Sequence, residues 1–131
     1  MPLKTVVKVG GITSLSEARY CAGMGVDLLG FGAINGKANY LSPAQFQEIR
    51  GWIAGPKIIA EIYGIENQGQ LEAILTDYKP DYLEMGIAEL NVLGDLPLPF
   101  LLSIPAGSSL PPLREQPSYL LLKELTTDPY P

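Results

Sequence analysis

Four charged side chains sit in or at the end of otherwise apolar runs. Lys8 interrupts Val6-Val7-Lys8-Val9, Glu61 follows Ile58-Ile59-Ala60, Glu84 lies in Tyr82-Leu83-Glu84-Met85, and Lys123 closes Tyr119-Leu120-Leu121-Leu122. A lone charge buried in such a run is costly, so these groups are expected to pair, and two lysines with two glutamates sum to zero. Three readings stay open for them: charges that point into solvent at strand ends, a convergent polar cluster lining a pocket, or a structural ion-pair network. In the second reading the chemistry is acid-base, from a carboxylate and an ammonium within reach of one ligand, or Schiff-base formation on Lys8 or Lys123. Gly10-Gly11 is either a tight turn or a close backbone approach to a phosphate, and it is not a dinucleotide-binding fingerprint. Cys21 reads as a small core residue rather than a nucleophile.

These residues need elements to hold them, and the first hundred positions repeat one unit of short apolar run, turn, helical pattern and turn. That rhythm is βαβα, and the continuous run Asp27–Phe31 suits a strand of a parallel sheet covered by helices. Strands are expected over Thr5–Val9, Asp27–Phe31, Lys57–Ile62 and Asp81–Met85. The first helix has Ser14 or Ser16 as cap, an apolar face of Ala18, Cys21, Ala22 and Met24, and Gly25 at its C-terminal end. Ser42-Pro43 opens a second helix to about Ile53, with Phe46, Ile49, Trp52 and Ile53 on its apolar face. Further helices are expected over about Gln68–Tyr78 and, briefly, Ala88–Leu93.

Beyond residue 95 the pattern changes. Eight of the twelve prolines fall in the last 35 residues, and an interior so rich in proline cannot hold a regular helix. Phe100–Ile104 and Tyr119–Leu122 still read as strands. The expectation is one domain over 1–131, regular over 1–95 and irregular over 96–131, in which strand ends carry the site. The fold class is α/β: an incomplete TIM-type barrel of about six parallel strands with three to four helices, since a full eightfold barrel needs about 200 residues or more.

Composition removes several function classes. The 131-residue chain has no histidine and one cysteine, which leaves no disulfide framework or zinc finger and no metal site in the expectation. Nine basic against fourteen acidic residues give a net charge of -5, the wrong sign for binding nucleic acid through its phosphates. No apolar run reaches membrane-span length. A cytoplasmic protein without membrane partners or cofactor is expected.

Three motifs, in order and spacing, carry a family resemblance. Lys8-Val9-Gly10-Gly11-Ile12-Thr13 resembles K-I-C-G-I-T, Gly25-Val26-Asp27-Leu28-Leu29-Gly30-Phe31 resembles G-A-D-x-L-G-F, and Tyr40-Leu41-Ser42-Pro43-Ala44-Gln45 resembles R-Y-V-S-P-E-Q of phosphoribosylanthranilate isomerase, a (β/α)8-barrel enzyme of tryptophan biosynthesis. The resemblance implies an Amadori rearrangement in which the motif cysteine is the base and an aspartate ending the sixth strand is the acid. Gly10 and Lys123 stand at those two positions here. Among the substrate-binding positions the resemblance implies, Asn39 stands for an arginine, Glu84 for a glutamine and Gly86 for a histidine, and the phosphate loops after strands seven and eight have no counterpart.

The expected function is therefore an isomerase-like domain without the isomerase activity, acting as a small-molecule-binding or interaction domain. The alternatives are an enzyme with altered acid-base or Schiff-base chemistry, and an isomerase completed by another chain. The candidate pocket is Lys8, Gly11, Glu61, Glu84 and Lys123. Two open sheet edges imply a homo-oligomer or a covering segment, for which Pro105–Pro117 is the candidate.

Overall fold

A computed structural model describes residues 5–107, 109–113 and 115–123, with the side chain of Lys123 outside the described part. The elements alternate: β1 (Lys8–Val9), α1 (Leu15–Gly23), β2 (Leu28–Gly32), α2 (Pro43–Arg50), β3 (Lys57–Glu61), α3 (Gln68–Tyr78), β4 (Tyr82–Gly86), α4 (Ile87–Val92), β5 (Phe100–Pro105) and β6 (Tyr119–Lys123). All strand pairs are parallel and the spatial order is the chain order, β1 through β6. This is an incomplete TIM-type barrel, as the sequence pattern predicts.

The sheet curls. Lys8 on β1 touches Glu84 on β4, whereas three interstrand steps in a flat sheet would separate those strands by roughly 14 Å. Alternation along each strand divides the side chains between two faces. On the convex face Leu29, Phe31, Ile58, Ala60, Leu83, Met85, Phe100, Leu102 and Ile104 are buried beneath the helices and loops, where each fully buried large side chain contributes about 2 kcal/mol. On the concave face Leu28, Ile59 and Leu101 form a smaller apolar cluster with Tyr82 and Leu121. Lys8, Glu61 and Glu84 lie on this concave face, above the cluster.

Local chemistry sets the helix starts. The Ser14 hydroxyl accepts from the Glu17 N–H, and the Glu17 carboxylate accepts in turn from the Thr13 N–H and hydroxyl. These bonds, that from the Thr13 backbone foremost, hold the Glu17 carboxyl below its ordinary value. Ser42 and Gln45 form a reciprocal capping box with Pro43 in the first turn, as Ser-Pro at a helix start predicts. Asn67 caps α3 through the Gln70 N–H.

Several boundaries differ from the sequence expectation. The first strand is Lys8–Val9 rather than Thr5–Val9. The second helix stops at Arg50, whose guanidinium donates to the Tyr78 and Lys79 carbonyls at the end of α3. Trp52 therefore falls outside the helix and is 66% exposed, not part of its apolar face, and Met24 caps α1 in solvent rather than joining its buried side. Within the proline-rich connection Leu113 packs against the helix-side core. Among the described residues no helix is long and apolar enough to cross a membrane.

Candidate functional site

The strand ends converge on a cavity of about 510 Å3 lined by Lys8, Gly10, Gly11, Lys37, Ala38, Asn39, Glu61, Tyr63 and Glu84. Parallel pairing aligns Glu61 on β3 with Glu84 on β4 as direct cross-strand partners, which places two carboxylates side by side on the concave face. Such a pair is repulsive unless a cation intervenes. Lys8 supplies it: its Nζ lies 2.6 Å from Glu84 Oε1 and 3.8 Å from Glu61 Oε2.

Each carboxylate has a second anchor. The Tyr63 hydroxyl donates to Glu84 Oε2 at 2.6 Å. Glu61 reaches across β2 to accept from the Gly11 N–H, at 3.0 Å to Oε2 and 3.3 Å to Oε1. The reach depends on glycine, because a Cβ on either Gly10 or Gly30 would fall within van der Waals contact of Glu61 Oε2. The carboxylate thus fills a cradle left by two glycines on neighbouring strands.

Burial deepens from mouth to floor. The side chains of Lys8, Glu61 and Glu84 are 21%, 13% and 3% exposed. Burial, and then the Glu84 carboxylate, push the Tyr63 phenol well above the ordinary tyrosine value, so Tyr63 is a neutral donor. A group whose folded pKa is raised contributes stability that is complete below the unfolded value, about 10 for tyrosine, and fades above it. Spectrophotometric titration is therefore expected to show Tyr63 still protonated at about pH 10. Tyr63→Phe is expected to cost about 1–2 kcal/mol, because Glu84 loses a donor, and to remove that alkaline component of the stability profile.

Of the positions singled out in the sequence, the structure brings Lys8, Gly10, Gly11, Asn39, Glu61 and Glu84 to one cavity. Lys123 ends β6, its backbone opposite Pro105, and its side chain lies outside the described residues. Gly86 is not part of the lining. Its N–H donates to Glu89 Oε1 at 2.8 Å, and the other oxygen of Glu89 accepts from the Gly64 N–H at 3.1 Å. Sequence reasoning gave no role to Tyr63, Lys37 or Glu89. Glu89 had a signal, an acid three residues past a glycine at a helix start; Lys37 sits in a polar loop with none. A second cavity of about 430 Å3 opens at the opposite strand ends, between Val6, Asp27, Lys57, Tyr82 and Tyr119.

The architecture defines a class: an incomplete parallel (β/α) barrel with a polar cavity at the carboxyl ends of its strands. No protein-family model matches the sequence, and no curated protein does. Solved structures do match, phosphoribosylanthranilate isomerases among them. The enzyme from Thermus thermophilus superposes with a TM-score of 0.71 at 16% identity, over 90% of this chain and 62% of that one. Monomers of the dimeric enzyme from Thermotoga maritima give 0.63 at 19% identity, over 92% and 75%. An isomerase in complex with reduced 1-(o-carboxyphenylamino)-1-deoxyribulose 5-phosphate gives 0.64 at 16% identity, over 79% and 55%. This chain spans just over half the length of the last and about three-fifths that of the first. The fold is that of phosphoribosylanthranilate isomerase, with six of its strands, in agreement with the motif resemblance.

Proposed function

We propose that this chain is a single small-molecule-binding domain on the phosphoribosylanthranilate isomerase fold, without the isomerase activity of its structural relatives. One observation carries the reading. Where the resemblance calls for a cysteine thiolate there is Gly10, and the space above it is taken by the Glu61 carboxylate while the adjoining cavity stays open. A thiolate base needs a proton-transfer atom at that point, and glycine has none. Asn39 stands where an arginine is implied, and Glu84 adds a negative charge where a neutral glutamine is implied. The test is complementation of a tryptophan auxotroph that lacks the isomerase. We expect no growth from this chain alone; growth would overturn the reading.

A second reading, altered acid-base chemistry, draws on the continuous chain of contacts Tyr63–Glu84–Lys8–Glu61. It requires turnover of a small carbonyl compound that Glu61→Gln abolishes.

The edges support a homo-oligomer. Strands β1 and β6 end the sheet, and on β6 Leu120 and Leu122 are 48% and 70% exposed, a combination that invites pairing. Sedimentation is expected to show a species larger than the monomer that shifts toward monomer in Leu122→Lys. A monomer at every concentration would count against it.

A further inference from the structure

The wall of the strand-end cavity at Lys37, Ala38 and Asn39 is built unlike the rest of it. These residues belong to the connection between β2 and α2, which leaves the sheet at Gly32 and returns to the same residue. On the outgoing side the Ala33 N–H donates to the Glu61 carbonyl at 3.1 Å. On the returning side the Leu41 N–H donates to the Gly32 carbonyl at 3.0 Å, and Tyr40 is bridged to Gly32. Ile34 and Leu41 are buried, and the Tyr78 hydroxyl donates to the Leu41 carbonyl. The neck is therefore closed and fixed, the arrangement of a compact loop whose ends meet.

The tip is held differently. Residues 35–39 are all exposed. Among the described residues no side chain of this tip forms a hydrogen bond or an ion pair, and the Lys37 N–H bonds only within the loop, to the Ile34 carbonyl at 3.2 Å. Gly36 and Asn39, at positive φ of 88° and 62°, turn the backbone on either side of Lys37 and Ala38.

Contact with two glycines seats the tip. The Lys37 stem lies flat over Gly64, where a Cβ would collide with Cε and come within 3.3 Å of Cδ and 3.2 Å of Nζ. The Asn39 side-chain amide lies over Gly11, its Nδ2 3.0 Å from the place of a Cβ. These are dispersion contacts, each worth little. Space is also present behind the tip: a cavity of about 230 Å3 opens between the base of this loop and α3, with Ile34, Asn35, Tyr40, Ile74 and Asp77 in its lining. Asn35 lines that outer cavity and Lys37, Ala38 and Asn39 line the inner one, so the tip stands between two spaces. Few buried contacts and an exposed backbone are the physical marks of a segment that opens locally.

We propose that residues 33–41 form a lid on the strand-end cavity. Closed, its tip rests on Gly11 and Gly64; open, the tip has swung about the neck at Gly32 toward the outer cavity. The lid rests on the reading that the cavity binds a small molecule, and it adds how that molecule enters and leaves: past Lys37 and Asn39, whose side chains move with the tip. A side chain at position 64 would hold the lid ajar.

Amide relaxation dispersion on the full chain, without ligand, tests it. Lid opening belongs to the microsecond-to-millisecond range. Exchange is expected at Gly36, Lys37, Ala38 and Asn39 and at the seats Gly11 and Gly64, with the neck amides of Ala33 and Leu41 flat. In Lys37→Ala the stem over Gly64 is gone, and loss of that handful of contacts should raise the population of the open form about threefold. The exchange contribution at Gly11 and Asn39 then rises by about the same factor. Position 37 is exposed, so the variant folds. Flat dispersion throughout the tip makes it a rigid wall and overturns the lid. So does exchange confined to the tip with Gly11 and Gly64 flat, because the seats then take no part. Exchange unchanged in Lys37→Ala overturns it as well. No ligand enters the measurement, so each of these outcomes leaves the small-molecule reading standing, and growth of the auxotroph would overturn that reading without touching the lid.

Discussion

Lys8→Met is expected to lower the unfolding free energy by about 3 kcal/mol. The substitution keeps the length and packing of the side chain and removes only the ammonium. What remains is a pair of carboxylates on cross-strand neighbours, Glu61 and Glu84, one of them almost fully enclosed. Breaking a buried ion pair by deleting one partner costs about 3–5 kcal/mol, because the other charge is left uncompensated. The lower end applies, since the Lys8 side chain keeps 21% of its exposure and water screens part of the interaction. Urea denaturation measures the loss. The double variant Lys8→Met/Glu84→Gln should recover about half of it or more, since the glutamine is neutral and still accepts from Tyr63. A single-variant loss below about 0.5 kcal/mol would mean that the cluster is not electrostatically coupled.

The same cluster marks what a reader of the sequence alone can and cannot find. Charges inside apolar strand runs announce themselves, because Ile-Ile-Ala-Glu-Ile is a poor strand for burial unless the glutamate has a partner. Parallel βα periodicity then puts such residues at one end of one face. Ser42-Pro43 marked one helix start, and glycine after α1 marked its stop, since these depend on chemistry within a few residues. What escaped was set at long range. Trp52 follows the helical period of Phe46 and Ile49, yet the helix ends at Arg50, whose guanidinium is drawn to the carbonyls at the end of α3. The first strand shrank to two residues because it is an edge with one neighbour. Lys37 and Tyr63 gained their places from loops, and loop geometry follows from the whole sheet.

Glu61 shows how one side chain can reorganise a site. In the motif resemblance the position before Gly11 holds the reactive side chain, and at Gly10 that side chain has disappeared. The vacated volume is not empty, because a carboxylate two strands away has entered it and bonded the next backbone N–H. The exchange has a chemical consequence. Where the resemblance implies a polarisable thiolate just past β1, this chain holds a carboxylate from β3, tied to a backbone donor and beside a cation. The carboxylate that fills the vacated volume is thus part of what holds β1 to its neighbours.

Adding a methyl group under Glu61 tests that arrangement, and Gly30→Ala is expected to cost about 2 kcal/mol. Alanine in place of a strand glycine is ordinarily favourable by about 0.5–1 kcal/mol, so the sign itself is informative. A Cβ at position 30 would collide with Glu61 Oε2, lie 3.1 Å from Glu61 Cδ and lie 3.2 Å from Gly10 Cα. The carboxylate can swing away only by giving up the Gly11 N–H and the neighbourhood of Lys8, and the Gly10 backbone just past β1 would itself have to give by a few tenths of an ångström. Overpacking of this kind costs about 1–3 kcal/mol. Gly10→Ala meets Glu61 Oε2 and Lys8 Nζ, the latter at 2.7 Å, both at the ends of flexible side chains, and should cost about half as much. Pairing each with Glu61→Ala separates the two causes. Loss of the carboxylate should restore Gly10→Ala to the level of Glu61→Ala alone, whereas Gly30→Ala should stay below it, because its clash with the Gly10 backbone persists. Thermal melts of the five variants rank them. Equal recovery of both pairs would mean that the glycines serve the side chain alone, and no recovery in either would mean that Glu61 does not occupy the cradle.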